Sequence, residues 1–328
     1  MGVWNSYTLD FCILLPQHQK GGSDMTIREL LIERYAPLHN LSARSVVLFG
    51  HSIDRLRDFL QREPETTDFD DLVIAKFLRW RAVTPHRGKV CSPASVAKDK
   101  AHLSALWNFA ARKRIAAEFP DLPRLKVPTR PPRGYTVAEV SALVRAARTA
   151  HGSIGGVPAP WLWMTLVQSL WYTGERIGSH LRLRWSEVDL DACRITFLGE
   201  TRKGGIETIQ RAIHPDLAQQ LRRYRRADAD LVWPWLEHRR ANSLFQTLRL
   251  LCRRAGVKAR GFHAIRKASG SYVKAGGGDA TDHLGHANPK TTKDHYLDTT
   301  ITGQQSALDF LPPLDLNEPP QGGDRPAA

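Results

Sequence analysis

Apolar residues recur at helical spacing along most of the chain, and breaks in that rhythm mark its parts. Residues 1–24 carry no convincing period and are expected to form a disordered lead. "MTIRELLIERYAP" then opens with Thr26 and Glu29 in the S/T-x-x-E arrangement of a capping box, a helix start that makes Met25 a candidate initiator. Val46, Phe49, Ile53, Leu56 and Leu60 form the stripe of a second helix, and "FDDLVIAKFLRWR" reads as a short third. "SPASVAKDKAHLSALWNFAARKRI" is a fourth, with Ser92 as N-cap, Pro93 at the first helical position, and Val96, Leu103, Leu106 and Ala110 on one face. Four helices without a strand between them predict a small helical domain over 25–115.

Residues 116–135 hold five prolines and four basic residues, too many breakers for a helix, and read as a semi-stiff linker. Thr136 and Glu139 repeat the capping box and start a second domain, 136–310. Its "WLWMTLVQSLWYTGERIGSHLRLRW" is apolar enough to be a buried helical core. In "ACRITFLGETRKGGIETIQRAI" the period changes: Ile195, Phe197 and Ile209 flank a Lys-Gly-Gly turn, which predicts a hairpin or short sheet. Helical stretches resume at Pro215, and 311–328, rich in proline, reads as a disordered tail. The fold class is mainly α with a small β-hairpin or sheet.

Charge changes this picture more than composition does. Across 328 residues, 42% apolar and 24% charged content are ordinary for a globular protein, but a net charge of +14 is not. Residues 201–274 carry most of it, with 17 Lys or Arg against 5 Asp or Glu. A solvated helical face explains "LRRYRRADAD", where acids follow at once, but not a bias over the whole stretch. A polyanion is the expected partner, nucleic acid first and an anionic membrane surface second. No apolar run approaches the ~20 residues that cross a bilayer, so no membrane role is expected. The scattered Cys12, Cys91, Cys193 and Cys252 lack C-x-x-C spacing and are expected to stay reduced in a cytoplasmic protein.

The polar residues of the second domain suggest chemistry. Arg176 in "TGERIG" follows an apolar helix, where a cation needs an anion. Lys203 stands at the hairpin turn, and His263 and Arg266 share a helix face at i and i+3. His286 and Tyr296 follow in "LGHANPKTTKDHY". Two guanidinium forks suit the two non-bridging oxygens of a phosphodiester. Lysine and histidine move protons, and a tyrosine of ordinary pKa ~10 becomes a nucleophile only in such a cationic pocket. Plainer readings stand beside these: Arg176 as a structural ion-pair partner, Lys203 as a turn lysine, His263 and Arg266 as phosphate binders without chemistry, His286 as a core histidine. Tyr172, Tyr224 and Tyr272 read as packing or DNA-backbone contacts, and His180, His283 and His295 as incidental or supporting residues.

In that order, "TGERIGSHLRLRW", "ETRKGG", "HAIR" and "LGHANPKTTKDHY" make residues 173–297 resemble the catalytic domain of the tyrosine recombinases, the phage-integrase family. Residues 25–115 are similar to that family's helical core-binding domain, chiefly at "SPASVAKDKAHLSALWNFA". The resemblance implies that Arg176 and Arg266 grip the scissile phosphate, and that Lys203 protonates the departing 5′-hydroxyl. It further implies that His263 assists proton transfer, His286 donates to a phosphate oxygen, and Tyr296 forms a 3′-phosphotyrosyl bond, without metal or other cofactor. A homotetramer assembled on DNA in the cytoplasm, at the nucleoid, is implied too, with accessory DNA-bending proteins as further candidates. Leu308, Phe310 and Leu311 would then dock on a neighbouring protomer or pack in cis. A DNA-binding protein impaired in cleavage and a type IB topoisomerase-like enzyme are the competing readings.

Two positions depart from the family pattern. Ser179 stands where the family has an acid three residues after the first arginine, and Glu175 is expected to point to a different side of the helix. The His286-to-Tyr296 step is ten residues where nine is common; the extra one is expected in the Asn288-Pro289 turn or in a loop before the tyrosine helix. Thr291 and Thr292 would cap that helix, with Tyr296 about one turn in.

Overall fold

Helices begin where the sequence supplies caps. In the computed structural model, which describes residues 25–86, 88–202 and 207–303, the Thr26 hydroxyl accepts from the Glu29 N–H and the Glu29 carboxylate from the Thr26 N–H. A helical run over 27–38 follows, with a π-helical stretch, Leu30–Tyr35, inside it. Ser42, Asp70 and Ser92 cap the next three helices, α1 (Ala43–Leu60), α2 (Asp71–Val83) and α3 (Pro93–Arg112). Their stripes meet in one core, in which Ile53, Leu56, Leu103 and Leu106 are fully enclosed. Each such side chain stabilises the fold by about 1.5–3 kcal/mol through apolar burial.

A buried polar brace crosses that core. The Ser52 hydroxyl donates to Asp99 at 2.7 Å and accepts from His102 Nδ1 at 2.9 Å, while the other Asp99 oxygen meets Arg81 Nε at 3.0 Å. Serine, histidine and aspartate are thus in contact, but the serine is fully buried and its proton faces the carboxylate. It braces three helices and is no nucleophile.

The chain divides into two units between Thr129 and Arg130. Before that point the proline-rich stretch leans on the first unit: Trp107 Nε1 donates to the Glu118 carbonyl, and Lys100 Nζ to those of Leu122 and Pro123. Tyr135, placed at the end of the linker by its sequence, is fully buried in the second unit, where its hydroxyl accepts from the Arg260 N–H.

In the second unit Thr136 caps α4 (Val137–Ala147), and a hairpin of β1 (Ser153–Ile154) and β2 (Val157–Pro158) leads into α5 (Ala159–Thr173). After the short α6 (Ile177–His180), β3 (Val188–Asp189), β4 (Arg194–Phe197) and β5 (Ile209–Ala212) form an antiparallel sheet in that order. Phe197 pairs with Ile209 across it. Then come α7 (Pro215–Arg222), α8 (Ala241–Arg254), α9 (Phe262–Ala275), α10 (Ala280–Leu284), α11 (Pro289–His295) and α12 (Thr299–Thr302). Helices α4 and α9 pack on α5. The buried indoles of Trp163, Trp185 and Trp233 fill the core, and Trp233 Nε1 donates to Thr165 Oγ1 at 3.0 Å. The expected class, mainly α with a small sheet, is the one observed. Lys203, residues 1–24 and 311–328, and the Leu308, Phe310 and Leu311 cluster lie outside the described residues.

Candidate active site

Helix α5 stops at Gly174, whose φ of 60° lies in the left-handed region that glycine enters without strain. A Cβ there would also fall 2.5 Å from the His283 ring. The chain turns at once, and Glu175 and Arg176 follow outside any helix, Arg176 extended at φ −70°, ψ 146° as the N-cap of α6.

That turn corrects the expectation for Glu175. Its carboxylate points inward with 1% exposure, 3.4 Å from Arg202 Nε, 3.7 Å from Arg176 Nη1 and 3.8 Å from Arg266 Nη1. It accepts the Arg176 backbone N–H at 2.8 Å, and Ser179 Oγ lies 3.5 Å from the same oxygen. Burial alone would raise this carboxyl's pKa. The Arg266 guanidinium, the Arg176 N–H and the Arg202 guanidinium outweigh burial and hold it below the ordinary carboxylate range.

Arg266, one turn after His263 on α9, is 1% exposed. It donates to the carbonyls of Gly174 at 2.5 Å and Leu284 at 2.6 Å, and its Nη2 meets His286 Nε2 at 3.0 Å. Desolvation lowers its pKa to about 10, against the opposing pull of Glu175, so it stays charged at neutral pH. A guanidinium only donates, so His286 Nε2 accepts, and the ring proton sits on Nδ1 facing Thr292 Oγ1 at 2.8 Å. His286, expected to donate to a phosphate oxygen, is an acceptor in this state.

The tyrosine helix differs from expectation at both ends. The Asn288 side chain caps α11 by accepting from the Lys290 N–H, so neither Thr291 nor Thr292 is the cap. Tyr296 is the C-cap, about two turns in rather than one. Its φ of −122° and ψ of −32° leave helical geometry and carry the ring inward. His295 is exposed, and Tyr296 is 8% exposed. The Tyr296 ring centroid lies 4.3 Å from that of His286 and 4.9 Å from that of His263, and Arg266 Cζ stands 5.4 Å from it. Two residues on, the buried Asp298 accepts from the Gly134 N–H at 2.8 Å and from Arg133, and its own N–H donates to Ser271 Oγ at 2.8 Å. Tyr172, Tyr224 and Tyr272 instead pack against His214, Trp161 and Trp171.

Arg176, His263 and Arg266 line an open pocket of about 540 Å³ with Phe245 and Phe262 as an apolar wall. His286 and Tyr296 do not line it, but they touch the Arg266 and His263 that do. Lys203 falls in 203–206, outside the described residues. Its neighbour Arg202 is buried, with Nη1 donating to the Glu207 carbonyl at 2.7 Å. Gly285, at φ 58°, leaves room for that guanidinium, which any Cβ would strike.

Sequence reasoning sent Glu175 to a different side of the helix, gave Arg202 no role of its own, and took His180 as incidental or supporting. His180 is fully buried; its Nδ1 donates to the Arg176 carbonyl at 3.1 Å, and Nε2 accepts from Ser169 Oγ at 3.1 Å. It holds the backbone of Arg176. The available signal was an acid, a histidine and two small residues, Gly178 and Ser179, packed around one arginine.

Burial lowers His180, His263, His283 and His286 to about 4, reinforced at His263 and His286 by Arg266. A histidine held below its unfolded value of ~6.5 contributes stability that is complete above that pH and lost as pH falls towards the folded value. The melting temperature should therefore fall between about pH 6.5 and 4. For the fully buried His180 the loss is on the order of 3 kcal/mol, roughly 5–10 °C in a domain of this size. Thermal melts of wild type and His180→Asn check this: the variant should show the shallower slope, and equal slopes would remove His180 from the account.

No family model matches the chain. It is 26% identical over 184 residues to a protein assigned as the tyrosine recombinase XerC of Pseudomonas aeruginosa. The match takes in 53% of this chain but 42% of that relative, less than half its length. Among solved structures, a lambda integrase tetramer bound to a Holliday junction superposes with a TM-score of 0.62 at 16% identity, over 87% of this chain and 80% of that one. The XerH site-specific recombinase bound to a palindromic difH substrate gives 0.62 at 14% identity, over 81% and 78%. The integrase of transposon Tn1549 with transposon right-end DNA gives 0.61 at 15%, over 85% and 97%. At such identities the likeness is one of fold.

Proposed function

We propose, from the premise that this chain has the fold of the tyrosine recombinases, that it is a site-specific DNA recombinase. The observation that carries the reading is the convergence of His263 and Arg266 on α9, His286 in the turn after α10 and Tyr296 at the end of α11 onto one another, beside the pocket that Arg176 enters. In the proposed reaction, Arg176 and Arg266 bind the non-bridging oxygens of a phosphodiester and stabilise charge as it develops there. The Tyr296 oxygen forms a bond to phosphorus as its proton passes to His263. The 5′-oxygen leaves with a proton from Lys203, and a 3′-phosphotyrosyl link remains. Attack by a 5′-hydroxyl of a second duplex reverses each transfer. His286, neutral, orients Arg266. The ring of Tyr296 is covered as it stands, so attack needs the phenol to move towards the pocket.

The test is a pool of nicked duplexes cut from DNA flanking the gene, incubated with the protein in EDTA without nucleotide. A covalent protein–DNA adduct mapped to Tyr296 is the expected result. Tight binding with no adduct on any duplex would favour the DNA-binding protein impaired in cleavage. Relaxation of a supercoiled circle without exchange between duplexes would favour the topoisomerase-like enzyme.

The partners belong to the same proposal: double-stranded DNA along the basic 201–274 stretch, and further copies of the chain, up to a tetramer. No helix among the described residues is long and apolar enough to cross a membrane. Duplex affinity should depend steeply on salt, because each phosphate contact releases counterions with a slope of about −0.9. With 6–10 contacts, raising salt from ~50 to ~200 mM should weaken binding ~10³–10⁵-fold. Fluorescence anisotropy over that range measures it, and a flat titration would exclude a phosphate-dominated interface.

A further inference from the structure

We infer that Glu175 is the positioning residue of this site: its carboxylate holds the Arg176 and Arg266 guanidiniums and the base of the hairpin at Arg202 in one arrangement. The inference rests on the reading of Arg176 and Arg266 as phosphate grips. Among the described residues, no other carboxylate pairs with any of these three arginines. Three guanidiniums within 4 Å of one buried point repel one another unless a charge of opposite sign stays ionised between them. Glu175 meets both conditions, with 1% exposure and a pKa held below the ordinary range.

Its reach has a second consequence. Arg202 immediately precedes Lys203, and it joins the two stems of the hairpin by donating to the Glu207 carbonyl. The Glu175–Arg202 pair therefore ties the chain entering and leaving 203–206 to the phosphate grips. Ser179 Oγ lies 3.5 Å from Oε1 of that carboxylate, the oxygen facing Arg176 and Arg266, so position 179 could deliver a carboxylate to the same place. Here the charge comes from 175 instead, because the Gly174 turn directs that side chain inward.

Two variants test this, Glu175→Gln and the exchange Glu175→Ser with Ser179→Glu. In the protein alone, side-chain Nε–H signals of Arg202 and Arg266 in nitrogen-15 spectra should exchange slowly with water in wild type. They should broaden in Glu175→Gln and sharpen again in the exchanged pair. On the duplex found by adduct formation, Glu175→Gln should bind within about twofold of wild type yet form adduct roughly 10–100-fold more slowly, the scale of loss when an outer partner that orients a metal ligand is removed. The exchanged pair should recover most of the rate. An unfolded Gln variant beside a folded, active exchanged pair would carry the same meaning. Unchanged arginine signals in Glu175→Gln, or a folded exchanged pair as slow as Glu175→Gln, would overturn the inference. A wild type that forms no adduct anywhere would overturn the recombinase reading instead, and the arginine signals would still decide the role of Glu175.

Discussion

A Tyr296→Phe protein is expected to fold, to bind duplex DNA as wild type does, and to form no covalent adduct. Its ring would keep its face and edge contacts with His263, His286 and Arg266, while the hydrogen bond between its hydroxyl and Arg266 would go. The side chain is 8% exposed, so the contribution of one hydroxyl to DNA affinity is small beside that of the basic surface. What disappears is the atom proposed to bond phosphorus, and losing a nucleophile costs on the order of 10⁶-fold in rate. Denaturing gels of protein trapped on the nicked duplex provide the measurement. An adduct that survives in the variant, with its peptide mapped to Tyr272 or Tyr224, would sink the assignment of Tyr296.

Arg266→Lys should be almost as severe, by a different route. Lysine keeps the charge but offers a compact ammonium where the guanidinium fork serves the Gly174 and Leu284 carbonyls and His286 at once. Each preorganised donor lost from a developing oxyanion costs about 10²–10³-fold, and at least one is lost here. Stability should fall as well, because a buried carbonyl left without its donor costs about 1–3 kcal/mol. The expected outcome is an adduct rate down by 10²-fold or more, a melting temperature lower by several degrees, and little change in duplex affinity. Adduct formation at the wild-type rate would show that the fork is not needed, and that Arg266 is a structural residue alone.

Local chemistry was legible in the sequence, and long-range direction was not. Thr26, Ser92 and Thr136 cap helices as read, since a cap is a contract between residues three apart. The hairpin around Ile195, Phe197 and Ile209 followed from a change of period. His263 and Arg266 share a face because helical geometry guarantees it. Glu175 failed for the opposite reason: its direction depends on a single left-handed residue, and a helix continued through Gly174 sends it elsewhere. Tyr296 failed in register because Asn288 outcompetes two threonines as cap, and because a C-cap residue is free to leave the helical path. Which of its two readings holds for His180 was not legible, because the direction of its bonds to a carbonyl and a serine is set by the fold.

The mooring at Asp298 limits how far Tyr296 can travel. Two residues of extended chain reach about 7 Å, and the anchor beyond them is buried and bonded to Gly134 and Ser271 of the same unit. A phenol on so short a leash would swing within its own unit rather than be lent to a neighbour. In an assembly of several copies, each cut would then be made wholly by the copy that grips the phosphate. Chains lacking Tyr296 and chains lacking Arg266 could not mend one another when mixed, and the number of strands cut would be set by the number of intact copies present.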